Sequence, residues 1–232
     1  MRKNIFFRGY ALFGKVTAAF LNMLFPEYCL HCSENFTTVE FPLCDKCMEK
    51  ILKEAPPFIS ASRFIDSVFS CRVYQDVIRT CVREFKYKNS VKLLPVFEII
   101  IKDYLSKKNG RLIHFDMLVP IPLSKFKYNQ RRYNQSEIIA GIVNRILKIP
   151  VLKDNLVRVK DNPSQITMDV SGRKKNAENL FKARQPDIFK GKVILVIDDV
   201  ITTGATLNSC ARELLKSGAK SVSAFTFAKT LQ

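Results

Sequence analysis

The stretch Val193-Ile-Leu-Val-Ile-Asp-Asp-Val-Ile-Thr-Thr-Gly-Ala-Thr206 decides the fold of this chain. Its leading apolar residues predict a strand buried on both faces, as in a parallel sheet that helices cover. Two carboxylates, Asp198 and Asp199, follow at the carboxyl end of the strand, where open α/β sheets bind ligands. A short loop containing Thr and Gly then leads into a helix. We therefore expect a strand-loop-helix unit with a ligand site at the loop.

The loop after the two carboxylates is suited to holding a phosphate group. Successive backbone N–H groups at the start of a helix form an anion-binding nest, and the helix dipole adds to its field. Gly204 lets the backbone approach a ligand closely, and the Thr hydroxyls can donate hydrogen bonds. A plain turn with Asp199 or Thr203 as helix cap would explain one such residue, but not two adjacent acids before Thr-Thr-Gly. Because the acids can accept from hydroxyl groups, the loop predicts a sugar-phosphate site.

The rest of the chain continues the α/β pattern. Apolar runs predict strands over 68–74, 112–119, 150–159, 192–197 and 222–227. Apolar positions at helical spacing predict helices over 45–54, 77–85, 92–105, 138–147 and 203–216. Asn134-Gln-Ser-Glu137 has the form of a capping box before the fourth helix, and the polar stretch 160–178 predicts a long loop. We expect a parallel sheet flanked by helices.

The composition points to partners that carry phosphate. The chain has 232 residues and is 47% hydrophobic, as expected for a globular protein with a real core. It carries 38 Lys and Arg against 21 Asp and Glu, a net charge of +17. Such an excess favours nucleic acid, anionic lipid or phosphate-rich small molecules as partners.

Four of the seven cysteines form two pairs at a metal-binding spacing. Cys29 and Cys32 make one Cys-x-x-Cys pair, and Cys44 and Cys47 make another after eleven residues. This spacing predicts a structural zinc site with four thiolate ligands. Disulfides and a redox pair are the alternatives, and His31 is a competing ligand inside the first pair. The three other cysteines fall on apolar faces and are predicted core residues, namely Cys71, Cys81 and Cys210.

The N-terminal segment is apolar but too interrupted to span a membrane. Arg8 and Lys15 break it, and its longest apolar run, 16–25, is shorter than the roughly 20 residues a spanning helix needs. We predict an amphipathic helix over 1–25 that either packs on the protein or lies at a membrane interface. Pro56-Pro57 suggests a boundary after the cysteine pairs. The predicted organisation is thus this helix, a zinc module over 26–57 and an α/β domain over 58–232.

The stretch quoted at the outset resembles the phosphoribosyl diphosphate (PRPP) signature of type I phosphoribosyltransferases. The resemblance implies that the acids bind the ribose hydroxyls and that the loop holds the 5′-phosphate. It also implies Mg²⁺, held largely by the ligand's own pyrophosphate and hydroxyl oxygens. The implied PRPP-binding residues are Asp198, Asp199, Val200, Ile201, Thr202, Thr203, Gly204, Ala205 and Thr206.

Several further motifs resemble those of the ComF family. Val119-Pro-Ile-Pro-Leu123 resembles its pyrophosphate loop, which would comprise Pro120, Ile121 and Pro122. Arg131-Arg-Tyr-Asn-Gln135 resembles the family's Arg-Gly-Phe-Asn-Gln stretch, with Arg132 in place of the glycine. The family's flexible loop, which can close over the site, is matched by Gln165, Arg173 and Asn176. Zinc pairs far ahead of the phosphoribosyl signature are also the ComF arrangement.

This resemblance implies a role in DNA uptake during natural transformation. The expected partners are single-stranded DNA, PRPP and other DNA-import proteins, at the cytoplasmic face of the inner membrane. Basic residues interleaved with aromatics suit single-strand binding, and the candidates are Lys86, Tyr87, Lys88, Lys125, Lys127, Arg131, Arg132 and Tyr133. The alternatives are an active phosphoribosyltransferase, for which the sequence names no acceptor or catalytic base, and an adaptor regulated by the ligand.

Overall fold

A computed structural model of the chain describes residues 27–36, 42–88, 90–108, 114–159 and 180–231. The strands of these ranges are β1 (Glu27–Tyr28), β2 (Asn35–Phe36), β3 (Val68–Val73), β4 (Met117–Pro120), β5 (Leu156–Arg158), β6 (Phe181–Ala183), β7 (Val193–Ile201) and β8 (Ser221–Lys229). The α-helices are α1 (Asp45–Lys53), α2 (Asp76–Tyr87), α3 (Leu94–Ser106), α4 (Lys125–Arg131), α5 (Gln135–Leu147) and α6 (Ala205–Lys216). Short 3₁₀ turns lie at Val91–Leu93 and Pro186–Phe189.

A four-stranded parallel sheet forms the centre of the molecule, in the order β3-β8-β7-β4. Val151 bridges Leu118 of β4 and extends that edge by a short parallel contact. β1 pairs with β2, and β5 with β6, as small antiparallel ribbons outside this sheet. The predicted parallel sheet is confirmed, but the predicted strand over 150–159 is split into the Val151 bridge and β5.

Alternate residues of the sheet face two separate apolar cores. Leu195 and Ile197 of β7 join the core that contains α1, α2, α3 and α5. Ile194 and Val196 join the opposite core, built from α6, β6 and the 3₁₀ turn at Phe189. This two-sided burial follows from the period of two in a strand, and it explains why β7 reads as a continuous apolar run.

The helical stripes predicted from the sequence are the buried faces of the helices. On α2 the buried residues are the five that helical spacing selected, namely Val77, Ile78, Cys81, Val82 and Phe85. On α5 Asn134 is the N-cap, and its side chain accepts from the Ser136 N–H at 3.1 Å. Pro95 lies in the first turn of α3, where its missing N–H has no consequence.

β7 is longer than the apolar run predicted, since it continues to Ile201 rather than ending at 197. Its neighbour β8 runs to Lys229, and the parallel register pairs Ile201 with that residue. The backbone therefore keeps its ladder partners past the last purely apolar position. As a result both carboxylates and the two residues after them belong to the strand rather than to the loop.

The cysteine segment packs on the same core as the sheet. Leu43, Met48 and Ile51 are buried in one continuous cluster with α2, α3 and Phe225 of β8. The boundary predicted at 57/58 and the other domain limits remain predictions. The predicted helix over 1–25 and the loop residues Gln165, Arg173 and Asn176 lie outside the described residues. No helix in the described ranges is both long and apolar enough to cross a bilayer.

Candidate phosphate site and cysteine cluster

The carboxyl ends of β4 and β7 bring the predicted pyrophosphate loop beside the two acids. Pro120 pairs with Ile197 in the parallel register, and the Ile121 N–H donates to the Ile197 carbonyl at 2.9 Å. The next residue of β7 is Asp198. The Pro-Ile-Pro turn therefore starts alongside the acid pair, as expected where ligands bind at the carboxyl edge of an α/β sheet.

The start of α5 completes this corner of the site. Asn134 donates from Nδ2 to the Ile121 carbonyl at 3.0 Å and to Glu137 Oε1 at 3.1 Å, so it ties the Pro-Ile-Pro loop to the helix. Ser136 Oγ donates to Asp198 Oδ1 at 3.0 Å. The sequence predicted a helix cap here but not a contact with the acid pair. Ser136 is thus a site residue that the sequence analysis missed.

The two acids have different surroundings. Asp198 is half-buried, and its Oδ1 also accepts from the Asp199 N–H at 2.9 Å. Burial, followed by the adjacent Asp199 charge, raises the pKa of Asp198 to about 7. Asp199 is only 8% exposed. A raised pKa that is caused by burial and a neighbouring charge is common among functional acids.

A lysine from another part of the fold neutralises Asp199. Lys86, in the last turn of α2, places Nζ 2.8 Å from Asp199 Oδ1, and both side chains are mostly buried. The sequence analysis gave Lys86 a role in nucleic-acid binding. The structure places it on the acid pair, which puts α2 at the edge of the phosphoribosyl signature.

The predicted phosphate loop has the conformation that its glycine allows. Gly204 is the N-cap of α6 with φ of 75°, in the left-handed region that favours glycine. Thr202 and Thr203 are exposed, and the Ala205 N–H contacts Thr203 Oγ1 at 3.4 Å. The loop therefore presents hydroxyls and the first amides of a twelve-residue helix at the surface, the arrangement that binds anions.

Basic side chains gather near these carboxylates. Burial lowers the pKa of Lys127, and the nearby charges of Arg158, Arg131 and Lys86 lower it further. Arg131 donates from Nη1 to Gln135 Oε1 at 3.1 Å. Arg158 on β5 was not singled out by the sequence analysis, because a lone cation in a short strand carries no local signal. The crowding of like charges indicates a site for an anion.

The aromatic residues on α4 and just after it fall into two groups. Helix α4 has no buried residue, and Phe126 and Tyr128 on it are 72% and 50% exposed. Tyr133 is half-buried instead, with its hydroxyl donating to the Phe85 carbonyl and its ring 5.4 Å from the Phe85 ring. The surface of α4 can therefore offer stacking faces, while Tyr133 holds α2 against the start of α5.

The four cysteines of the two pairs converge. Their Sγ atoms all lie within 4.8 Å of one another, with Cys29–Cys47 at 3.8 Å and Cys32–Cys44 at 3.6 Å. Four thiolates at a zinc–sulfur distance of about 2.3 Å would be about 3.8 Å apart at tetrahedral angles. The donor set thus fits zinc. In the described residues this cluster contains no histidine.

His31 connects the cysteine cluster to α2. Its Nε2 lies 2.8 Å from Asp76 Oδ1 and its Nδ1 lies 3.0 Å from Thr80 Oγ1. Lys50 of α1 also pairs with Asp76. The position that the sequence marked as a competing ligand therefore holds the cysteine segment against the helix that carries Lys86.

Comparison with known proteins identifies the relatives of the chain. A profile described as the phosphoribosyl transferase domain matches residues 133–232. Competence protein F of Haemophilus influenzae is 25% identical over 229 residues, which cover 87% of this chain and 96% of that protein. Competence protein ComFC of Bacillus subtilis is 32% identical over 166 residues, 69% of this chain and 63% of the relative. DNA utilization protein YhgH of Escherichia coli is 23% identical over 205 residues, 88% of this chain and 84% of that one.

The chain belongs to the ComF family of phosphoribosyltransferase-like proteins. Among solved structures, adenine phosphoribosyltransferase from Leishmania tarentolae has 13% identity and a TM-score of 0.38, over 63% of this chain and 74% of that one. A hypothetical protein from Neisseria gonorrhoeae has 18% identity and a TM-score of 0.38, over 62% and 70%.

Helix α4 ends at a residue in the left-handed conformation. Arg132 stands where the family's Arg-Gly-Phe-Asn-Gln stretch has glycine, and it ends α4 with φ of 65°. A glycine is the usual residue for such a left-handed cap. In this chain an arginine therefore ends α4 in the left-handed conformation that glycine usually supplies.

Proposed function

We propose that this ComF-family chain handles DNA during uptake and binds PRPP with Mg²⁺ at the carboxyl edge of its sheet. The observation that carries the proposal is the convergence of the acid pair, the start of α5, the phosphate loop and several cations at one corner. The relatives named competence and DNA utilization proteins support the DNA role. The proposed location is the cytoplasmic side of the inner membrane.

The residues of the corner match the parts of PRPP. Thr202, Thr203 and the first amides of α6 would hold the 5′-phosphate, as anion nests do. Asp198 and Asp199 would accept hydrogen bonds from the ribose hydroxyls. The Pro-Ile-Pro turn and the cations Lys127 and Arg131 would face the pyrophosphate. Mg²⁺ would be bound mainly by ligand oxygens and water, since this ion keeps much of its hydration.

The charge and exposed aromatics of the chain support binding of single-stranded DNA. A net charge of +17 favours a polyanion. Helix α4 presents Phe126 and Tyr128 between Lys125, Lys127 and Arg131, and stacking faces between cations suit unpaired bases. The cysteine cluster would hold a structural zinc ion, which fixes the fold of the N-terminal segment and takes no part in chemistry.

Calorimetric titration with PRPP and Mg²⁺ tests the ligand site. We expect the wild-type chain to bind and the double variant Asp198→Ala/Asp199→Ala to lose measurable binding. The variant Asp66→Ala/Asp187→Ala, which removes two exposed carboxylates elsewhere, is the matched control and should bind as the wild type does. Repeating the titration with single-stranded DNA tests whether the two ligands affect each other. Absence of binding by folded, zinc-loaded wild type would refute the PRPP proposal.

An active phosphoribosyltransferase is the second candidate, because the acid pair, the Thr-Gly loop and the Pro-Ile-Pro turn lie close together at this corner. Release of diphosphate from PRPP, measured with nucleobases or with nucleic acid as acceptor, tests it. Release that the Asp198→Ala/Asp199→Ala variant abolishes would support turnover. If no acceptor yields diphosphate while calorimetry shows binding, PRPP would act as a bound ligand rather than a substrate.

A further inference from the structure

The acid pair, the start of α5 and the loop over 202–206 form what is here called the phosphoribosyl corner. A cleft of about 630 Å³ opens beside it. Tyr74 and Gln75 line it where β3 ends, Arg79 and Arg83 line it from α2, and Tyr87 lies at the end of the same helix. Its volume is within the range of small-ligand sites, about 300–1,000 Å³. Of its lining residues, Tyr87 is among the predicted nucleic-acid candidates.

Two exposed arginines give the cleft its positive charge. Arg79 and Arg83 lie one helical turn apart, and Tyr87 follows at the same interval, so the three side chains form a row on α2. Both arginines are exposed, and within the described part of the chain no carboxylate pairs with either. Lys88, which directly follows α2, by contrast pairs with Glu84 at 3.0 Å. The row therefore keeps two guanidinium groups available for an anion.

Tyr87 supplies a flat apolar surface next to these charges. Its side chain is 64% exposed, and the Arg131 guanidinium lies 5.4 Å from its ring centre. Aromatic rings beside cations are the surfaces on which unpaired bases stack, whatever the sequence. A base within a duplex does not present such a free face, so this combination suits a single strand.

The cleft touches the phosphoribosyl corner on two sides. Thr230 lines it and donates from its backbone N–H to the Ile201 carbonyl at 3.0 Å, directly before Thr202 of the phosphate loop. Tyr87 follows Lys86, which pairs with Asp199. An occupant of the cleft would thus lie next to the residues expected to hold PRPP.

We propose that this cleft binds one nucleotide of a single-stranded DNA, with its base on Tyr87 and its flanking phosphates on Arg79 and Arg83. The proposal rests on the DNA-handling function and adds the place where the strand meets the phosphoribosyl corner. DNA bound there would lie next to the expected PRPP site, and α2 and the end of β8 would connect the two sites.

Fluorescence anisotropy with a labelled oligo(dT) 15-mer tests the cleft, using the full zinc-loaded chain. For Arg79→Gln/Arg83→Gln we expect the slope of log K against log salt to become shallower by about 1.4, since each phosphate contact to a single strand contributes about 0.7. The control Lys216→Gln/Lys220→Gln removes two exposed cations close to the amino-terminal end of β8, whereas the cleft lies at its carboxyl end, and should leave the slope unchanged. Tyr87→Leu should weaken binding about tenfold through lost stacking.

The outcomes separate this proposal from the proposed function. If the wild type binds the oligonucleotide and the Arg79/Arg83 variant keeps its slope and affinity, the cleft assignment is overturned and DNA handling stands. If the wild type does not bind the oligonucleotide, the DNA role and the cleft both fail, while calorimetry still decides the PRPP site. Equal affinity for thymidine monophosphate and for the 15-mer would overturn the assignment to a strand. Unchanged circular dichroism of the variants excludes loss of fold.

Discussion

Lys86 Nζ and Asp199 Oδ1 are 2.8 Å apart, and this pair joins the last turn of α2 to the end of β7. Each side chain is less than a fifth exposed, so both charges have given up most of their water. A buried charge is tolerated when its partner stays in place, and removing one partner leaves the other uncompensated. The pair therefore fixes α2 against the acid pair and balances part of the negative charge there.

Replacing Lys86 should weaken PRPP binding. In Lys86→Met the two carboxylates lose their cation and repel a polyanionic ligand, and we expect at least a tenfold loss of affinity, about 1.4 kcal/mol. Lys86→Arg keeps the charge and should retain part of the affinity. Isothermal titration with PRPP and Mg²⁺ measures it. Lys102→Met, an exposed cation on α3, is the control, and an equal loss in both variants would show a general charge effect.

The pKa of Asp198 predicts how stability changes with pH. An unfolded aspartate titrates near pH 4, whereas the pKa of Asp198 is about 7 in the folded chain. Between these values the folded state keeps a proton that the unfolded state releases, so the contribution of Asp198 falls as pH rises from about 4 to about 7. Asp198→Asn removes this cost and should be more stable than wild type at pH 8, by up to about 4 kcal/mol.

Urea unfolding of the Asp198→Asn variant at pH 5 and pH 8 measures the effect. The gain over wild type should be clearly larger at pH 8 than at pH 5. Asp66→Asn, at an exposed carboxyl, should show no such difference. A gain that is the same at both pH values would contradict a raised pKa and point to packing instead.

Removing the metal ligands should unfold the cysteine segment. We expect the purified chain to hold about one zinc ion, and a strong chelator or Cys44→Ser to remove it and lower Tm, because ligand binding supplies folding energy to such segments. Metal analysis beside thermal unfolding measures both. Cys210→Ala alters a buried thiol outside the cluster and should keep the zinc. Full zinc content in the Cys44 variant would contradict a four-thiolate site.

Arg72 links the cysteine segment to the sheet and forms a buried ion pair with Asp103. We expect this pair to contribute more to stability than the exposed pair between Asp103 and Lys107. Its side chain is 1% exposed, with Nε donating to the Ile51 carbonyl at 2.8 Å and Nη2 to Asp103 Oδ2 at 2.6 Å. Asp103→Ala leaves this guanidinium without its anion and should cost about 3 kcal/mol of unfolding free energy.

The matched control uses the second partner of the same acid. Lys107 also pairs with Asp103 but is 58% exposed, and Lys107→Ala should cost about 0–1 kcal/mol. Chemical denaturation of both variants compares them. Equal losses would mean that Asp103 acts through the surface pair rather than through Arg72.

The elements of the fold could be predicted where the pattern was long and periodic. Every residue predicted to lie on the buried face of α2, from Val77 to Phe85, is buried in the structure. The ends of β7 and the short ribbon β5–β6 could not be predicted, because ladder partners on neighbouring strands decide them. Arg158 and Ser136 were missed for the same reason: each becomes a site residue only through contacts far along the chain.

The sequence by itself determined the parallel α/β sheet, the acid pair at the end of β7, the Thr-Gly loop that follows it and the two cysteine pairs. These features depend on residues close together in the chain, since local periodicity and short spacings carry them. The tertiary structure alone decided that Lys86 meets Asp199, that His31 contacts Asp76, and that Arg79 and Arg83 face a cleft beside the phosphate loop. Such relationships arise when packing of α2 on the sheet brings together segments far apart in sequence, and no local pattern encodes that packing.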